Sequence, residues 1–230
     1  MKAVMISIQP KWVEKIASGQ KTIEVRKTAP EVPFKAYIYC TKAKPYLYKE
    51  ANPPFELFLD SDLYRGEGYD DKLFSGKVVG EFVCDEIIEW QYDKSHQYYV
   101  EYPDDCTSYF PYLKCHSEAT GLKCSEIENY GKGKTLYGWH ISDLKIYGKP
   151  KELSEFYKCG AKSFEELSDT EDLCSYCSDT DYGEHKYDIS SRWGMVSCEG
   201  CWCDEAYQTY LDENFALTRA PQSWCYVEEL

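Results

Sequence analysis

The chain has 230 residues, 43% of them apolar and 16% aromatic, and a net charge of −14. That length suits one large domain or a domain with a small module. No apolar run approaches the roughly 18–20 residues of a membrane helix, and MKAVMISIQP is too short an apolar run for a secretory leader, so a cytoplasmic chain is expected.

AVMISI, residues 3–8, reads as an apolar strand. Gln9 and Pro10 end it, and Pro10 suits the first position of a helix because its missing N–H has no helical partner there. Val13, Ile16 and Ala17 mark one helical face, and Gly19 stands where a left-handed cap is expected. From Thr22 the period becomes two, with Ile23 and Val25 on one side and Thr22, Glu24 and Arg26 on the other. KAYIYCT (35–41) is a further strand. Residues 42–75, rich in Pro, Gly, Asp and Tyr, read as loop with a short helix at 55–60.

GKVVGEFVCDEIIEW (76–90) predicts a long strand or a bent strand pair, with Gly80 at a bulge. Residues 91–123 show no clear period. CSEIENYG (124–131) predicts a short helix and LYGWHISDLKIYG (136–148) a strand. Beyond Pro150 the acidic segments KELSEF and SFEELSDTEDL predict short helices, followed by a cysteine-rich stretch. The tail RAPQSWCYVEEL sets Trp224 and Tyr226 either side of Cys225, a strand-like alternation expected to return to the first domain and edge its cleft. The element order predicts an α+β chain: a small, mostly antiparallel barrel with peripheral helices over residues 1–150, then an acidic, cysteine-rich module over 151–230.

Charge follows the same division. Residues 1–49 carry ten Lys and Arg against three Asp and Glu, net +7, whereas residues 151–230 carry six against eighteen, net −12. Such asymmetry suits an anion-facing first part and an acidic part that is either a solvated surface or a docking face for a basic partner.

The basic part holds SGQKTIEVRK, residues 18–27. Lys21 offers a point charge to a phosphate and Arg26 a bidentate fork. Glu24 shares a strand face with Arg26, where it can orient the guanidinium, accept from a base amino group, or act as a general base. Trp12, Tyr37, Tyr39 and Trp139 are candidates to stack on a base, against the alternative of core packing. An exposed Glu24–Arg26 pair worth little is the alternative for the motif itself. The histidines and serines form no nucleophile set; His140 reads as a rim residue with a structural hydrogen bond.

Twelve cysteines in a cytoplasmic chain read as core thiols and metal ligands rather than a disulfide frame. Cys174/Cys177 and Cys198/Cys201 are two C-x-x-C pairs near the spacing of a zinc knuckle pair. They predict a structural Zn2+ held by Cys174, Cys177, Cys198 and Cys201, with Cys203 or His185 as alternates, against the alternative of free thiols. Cys106, Cys115, His116 and Cys124 have no usual metal-turn spacing. Cys40, Cys84, Cys159 and Cys225 read as core or isolated thiols.

SIQPKWVEKIASGQKTIEVRK resembles the ASCH family of the PUA-like superfamily, in its phage and prophage branch. The family pattern G-x-K-x-x-E-x-R is met by Gly19, Lys21, Glu24 and Arg26, and GKVVGEFVCDEI, LYGWHISDLKIYGKPKELSEF and the tail look like the same branch. The resemblance covers residues 1–157 and 219–230. It implies a PUA-like pseudobarrel with a ligand cleft beside the first helix, lined by the motif residues, and a nucleic-acid- or nucleotide-binding role.

Some members look like hydrolases, acting on an acylated cytidine or on RNA. In the amidohydrolase type the lysine matched by Lys21 and a threonine three residues on carry catalysis, with a glutamate elsewhere for which Glu81, Glu126 and Glu128 are candidates. Glu24 occupies the threonine position, and a carboxylate cannot replace a hydroxyl nucleophile. The expected function is thus nucleic-acid or nucleotide binding by Trp12, Lys21, Glu24, Arg26 and Trp139. The alternatives are a hydrolase with Lys21 and Glu24 catalytic, or an acidic interaction or nucleic-acid-mimic protein with a counter-defence role.

Overall fold

The run AVMISI lacks the alternation of a half-buried strand, and in the computed structural model it forms strand β1 (Lys2–Ile8), buried from Ala3 to Ile8. The structure describes residues 2–50, 57–62, 72–95, 98–101, 117–168, 187–188, 197–198 and 204–230. These fall into two units, one of Met1–Glu152 with Arg219–Glu229 and one of Leu153–Thr218.

In the first unit, helix α1 (Pro10–Ala17) has Pro10 in its first turn and buries Pro10, Val13 and Ile16. It ends at Ser18, and Gly19 follows at φ +74°, a left-handed position open to glycine at no steric cost. Strands β2 (Ile23–Arg26) and β3 (Phe34–Cys40) follow, then β4 (Tyr46–Lys49) and β5 (Leu57–Asp60), which pair with each other. The helix expected near 55–60 is this strand instead: Leu57 and Leu59 pack on the main core and alternate with exposed Phe58, which is the period of a strand.

The segment 76–90 divides into β6 (Val78–Cys84) and β7 (Ile87–Asp93), and β8 (Tyr98–Glu101) comes after. Helices α2 (Ser117–Thr120) and α3 (Cys124–Gly131) precede β9 (Leu136–His140) and β10 (Ser142–Lys151). The tail forms β13 (Trp224–Val227).

A five-stranded sheet runs β10-β6-β3-β1-β13 and a four-stranded sheet β2-β9-β7-β8. All pairings in them are antiparallel except β1 with β3. The mostly antiparallel α+β character matches the expectation. A closed barrel does not: among the described residues the strands form these ladders without joining into a ring. The chain changes sheet between β6 and β7 and again between β9 and β10, so the segment expected as one strand at 136–148 breaks at Ile141. A bulge falls where β3 passes β6, with Ile38 opposite Gly80 and Tyr39 opposite Val78. A Cβ on Gly80 would lie 2.5 Å from the Lys145 carbonyl oxygen, so only glycine admits that approach.

The two sheets share one core. Val4, Ile6, Phe34, Ile38, Val79 and Phe82 from the larger sheet meet Trp139 from the smaller, with Val13 and Ile16 of α1. On its other face the smaller sheet packs Ile23, Val25, Trp90 and Leu136 against Ile127 of α3. Both faces of β2 are therefore covered.

Cys40 and Cys84 are buried in the main core, and burial pushes each thiol up to about 12. Because the thiolate is the nucleophile, neither should be alkylated by iodoacetamide in the native protein at about pH 8. Peptide mass spectrometry after native and denatured labelling checks this, with exposed Cys159 as internal comparison.

In the second unit a 3-10 turn (Leu153–Glu155) leads to α4 (Phe164–Ser168), capped reciprocally by Ser163 and Glu166. A two-stranded pair β11 (Tyr187–Asp188) and β12 (Ser197–Cys198) and helix α5 (Asp204–Asn214) follow among the described residues. Leu167, Ala206 and Tyr210 form its core. The helix α5 has no counterpart in the sequence expectations. Of the expected zinc ligands only the backbone of Cys198 is described; Cys174, Cys177, Cys201, Cys203 and His185 lie outside the described residues, as do Cys106, Cys115 and His116. Among the described residues no three His, Cys, Asp or Glu side chains gather to hold a metal, and no helix is long and apolar enough to cross a membrane.

Candidate functional site

The turn after Gly19 is tied at both ends. The Lys21 N–H donates to the Lys15 carbonyl at 3.0 Å and the Thr22 N–H to the Ala119 carbonyl at 2.8 Å. This feeds the chain into β2, whose Glu24 faces the same way as Trp139 in the register of the β2–β9 ladder. Strand period thus sends Glu24 and Arg26 inward, and Lys21 reaches them from the turn.

Lys21 is only 2% exposed and Glu24 5%. The Lys21 ammonium donates to the carbonyls of Ile23 at 2.8 Å and Thr120 at 2.7 Å, and lies 3.3 Å from Glu24 Oε2. Arg26 Nη2 donates to the Ser7 carbonyl at 2.7 Å and lies 3.1 Å from Glu24 Oε1. A surface pair is thereby ruled out: this is a buried cation–anion–cation triad, with most of its hydrogen bonds spent on backbone. Burial lowers the Lys21 pKa, an effect opposed by Glu24 and reinforced by Arg26 and Lys15.

The triad forms one side of a cavity of about 500 Å³, also lined by Ser7, Trp12, Thr41, Tyr130 and Pro221. The Ser7 hydroxyl donates to the Pro221 carbonyl at 2.6 Å and the Ser7 N–H to the Ser223 carbonyl at 2.9 Å, which fixes the tail segment 220–222 in the lining. Three buried polar atoms of lining residues, Glu24 Oε2, Arg26 Nε and Thr41 Oγ1, make no hydrogen bond among the described residues, though Glu24 Oε2 is ion-paired to Lys21 at 3.3 Å. A buried unsatisfied polar atom costs about 1–3 kcal/mol, and such atoms are uncommon. The three atoms belong to residues of one cavity wall.

Of the residues expected to line a cleft, Trp12, Lys21, Glu24 and Arg26 are brought together, whereas Trp139 is not. It is fully buried, edge-on to Phe34 with ring centroids 5.0 Å apart and 5.9 Å from Trp224. Tyr37 and Tyr39 are also buried away from the cavity. Glu81 accepts from the Tyr147 hydroxyl at 2.6 Å, Glu126 caps α3 through the Lys123 N–H, and neither they nor Glu128 line the cavity. His140 pairs with Asp85 at 2.7 Å on the exterior.

Thr41, Tyr130 and Ser7 carried no sequence signal. Thr41 reaches the site because its N–H donates to the Ile8 carbonyl where β1 and β3 run parallel, a long-range pairing that no local pattern announces.

No family profile and no curated protein matches the chain. Among solved structures it is similar to an ASCH protein from Zymomonas mobilis, at 12% identity over 93% of this chain and 96% of that one, with a TM-score of 0.39. Two single-substitution variants of the same protein match at 13% identity (94% and 99% covered, TM-score 0.40) and 16% identity (67% and 78% covered, TM-score 0.39).

Proposed function

We propose that this cavity binds a nucleobase, as a nucleotide or as part of a nucleic acid. The observation that carries it is the buried Lys21–Glu24–Arg26 triad in a cavity wall shared with Thr41 and Trp12. A base edge presents adjacent donors and acceptors, so an N–H given to Glu24 and a ring nitrogen or carbonyl accepting from Arg26 complement the pair. The base face then stacks on Trp12. The volume lies in the usual range of about 300–1,000 Å³ for small-molecule sites.

In this reading Lys21 is a positioning residue. Its hydrogen bonds to two carbonyls hold the ammonium beside Glu24 and fix the carboxylate; it is not spare for a phosphate. The G-x-K-x-x-E-x-R resemblance to ASCH proteins points to the same ligand class.

A second reading, a hydrolase on a modified nucleoside, is favoured by one observation. Glu24 is a cavity-wall carboxylate held beside a lysine of lowered pKa, an arrangement able to take a proton from a water.

Titration of purified protein with nucleosides and nucleoside monophosphates, read by calorimetry, tests both. Trp12→Ala should weaken binding by about 1–3 kcal/mol, roughly 5- to 150-fold, with the melting temperature little changed because Trp12 is only partly buried. No binding by the wild type at millimolar nucleoside sinks the proposal. Turnover of an N-acylated nucleoside, lost in Glu24→Gln, establishes the second reading instead.

A further inference from the structure

We infer that the base comes from a single-stranded nucleic acid, and that Lys11, Lys15 and Lys27 hold the phosphates flanking it. This rests on the base-binding reading above and specifies the state of the ligand. Both aromatic residues of the lining, Trp12 on α1 and Tyr130 on α3, carry ammonium groups over their rings. Lys11 Nζ lies 4.4 Å and Lys15 Nζ 5.3 Å from the Trp12 centroid, and Lys27 Nζ 4.8 Å from that of Tyr130.

These cations make no ion pair among the described residues. Lys2, Lys35 and Lys77 each pair with a carboxylate at 2.8–3.2 Å. Lys11, Lys15 and Lys27 have no such partner among the described residues, although the chain holds 40 acids against 26 bases. An aromatic ring attracts a cation without consuming its N–H donors, so each ammonium is held beside a lining aromatic residue with donors left for a phosphate. Lys21, Glu24 and Arg26 add one net positive charge inside, so these six residues together carry four.

The ligand's charge follows from this count. A nucleoside has no group for the outer lysines and a mononucleotide engages them at one point. A strand passing the opening engages lysines from α1 and from beyond β2 together. A chain of net charge −14 repels a polyanion at long range, so attachment of a strand requires a local cationic patch of this kind. The base must be unpaired, because a duplex cannot deliver one into a cavity without extrusion.

The test is fluorescence anisotropy with short labelled single-stranded RNA and DNA of one sequence, across about 50–200 mM salt. Each neutralised phosphate adds about 0.7 to the log–log salt slope for a single strand, so three contacts give about 2. In the triple variant Lys11→Gln, Lys15→Gln, Lys27→Gln, with folding checked by its melting temperature, the slope should fall toward zero. The ratio of strand affinity to nucleoside affinity should drop at least about tenfold near 50 mM salt.

A triple variant that keeps the wild-type slope overturns the inference alone, as does a blunt duplex that binds as tightly as the single strand. A wild type that fails to bind nucleosides overturns the base-binding reading itself.

Discussion

Replacing Lys21 by Met is expected to lower the unfolding free energy by about 3–5 kcal/mol, the cost of removing one partner from a buried ion pair. Two consequences add up in that substitution. Glu24 keeps only Arg26 as a counter-charge in a site where it is 5% exposed. The carbonyls of Ile23 and Thr120 lose their shared donor, and with it one of the links between α2 and β2. For a chain of this size the loss corresponds to about 6–20 °C in melting temperature. Urea unfolding of the single variants and of Lys21→Met/Glu24→Gln measures it.

The double variant should lose less than the sum of the two single losses, because each single change strands a buried charge that the other removes. Strict additivity would refute the triad as a unit. The pH dependence has a defined sign. Burial places the folded Lys21 below its ordinary 10.5, so between the two values the unfolded chain binds more protons and stability rises with pH. The stability advantage of the wild type over Lys21→Met should therefore widen as pH rises toward 10.5.

Trp139→Ala is expected to cost about 3–5 kcal/mol through the cavity it leaves. The indole is fully buried between Phe34 and Trp224 and joins the core of both sheets. Its contrast with Trp12 is the informative part. Trp12→Ala should weaken a nucleoside with little change in unfolding midpoint, whereas Trp139→Ala should shift the midpoint strongly. Guanidinium unfolding followed by nucleoside titration of both variants separates the roles, and a Trp139→Ala protein with an unshifted midpoint would contradict its place in the core.

Local patterns carried a good deal of this site. The switch to period two at Thr22 separates Ile23 and Val25, which pack under α3, from Glu24 and Arg26, which face the cavity. Pro10 and Gly19 mark the limits of α1 because one lacks an N–H and the other tolerates a positive φ. The helix at 124–131 was legible from its residues alone. The strand at 57–60 was misread, since four residues hold too little period to oppose a loop-like composition.

Tertiary structure decided which of these faces is covered. A strand pattern states that Glu24 and Arg26 share a side, and it is silent on what lies opposite. Burial of the triad depends on the Thr120 carbonyl, 99 residues from Lys21, on the Ser7 carbonyl supplied by β1, and on Pro221, held by Ser7 across 214 residues. The same applies to the two tryptophans: both sit in amphipathic surroundings in sequence, and only the β2–β9 register and the stacking of sheets send Trp139 into the core and leave Trp12 on the cavity. The sequence by itself therefore determined the elements and the sidedness of the motif. Long-range packing alone turned a charged turn into a buried ion triad, because desolvation is set by every segment that closes over a residue and not by its neighbours in the chain.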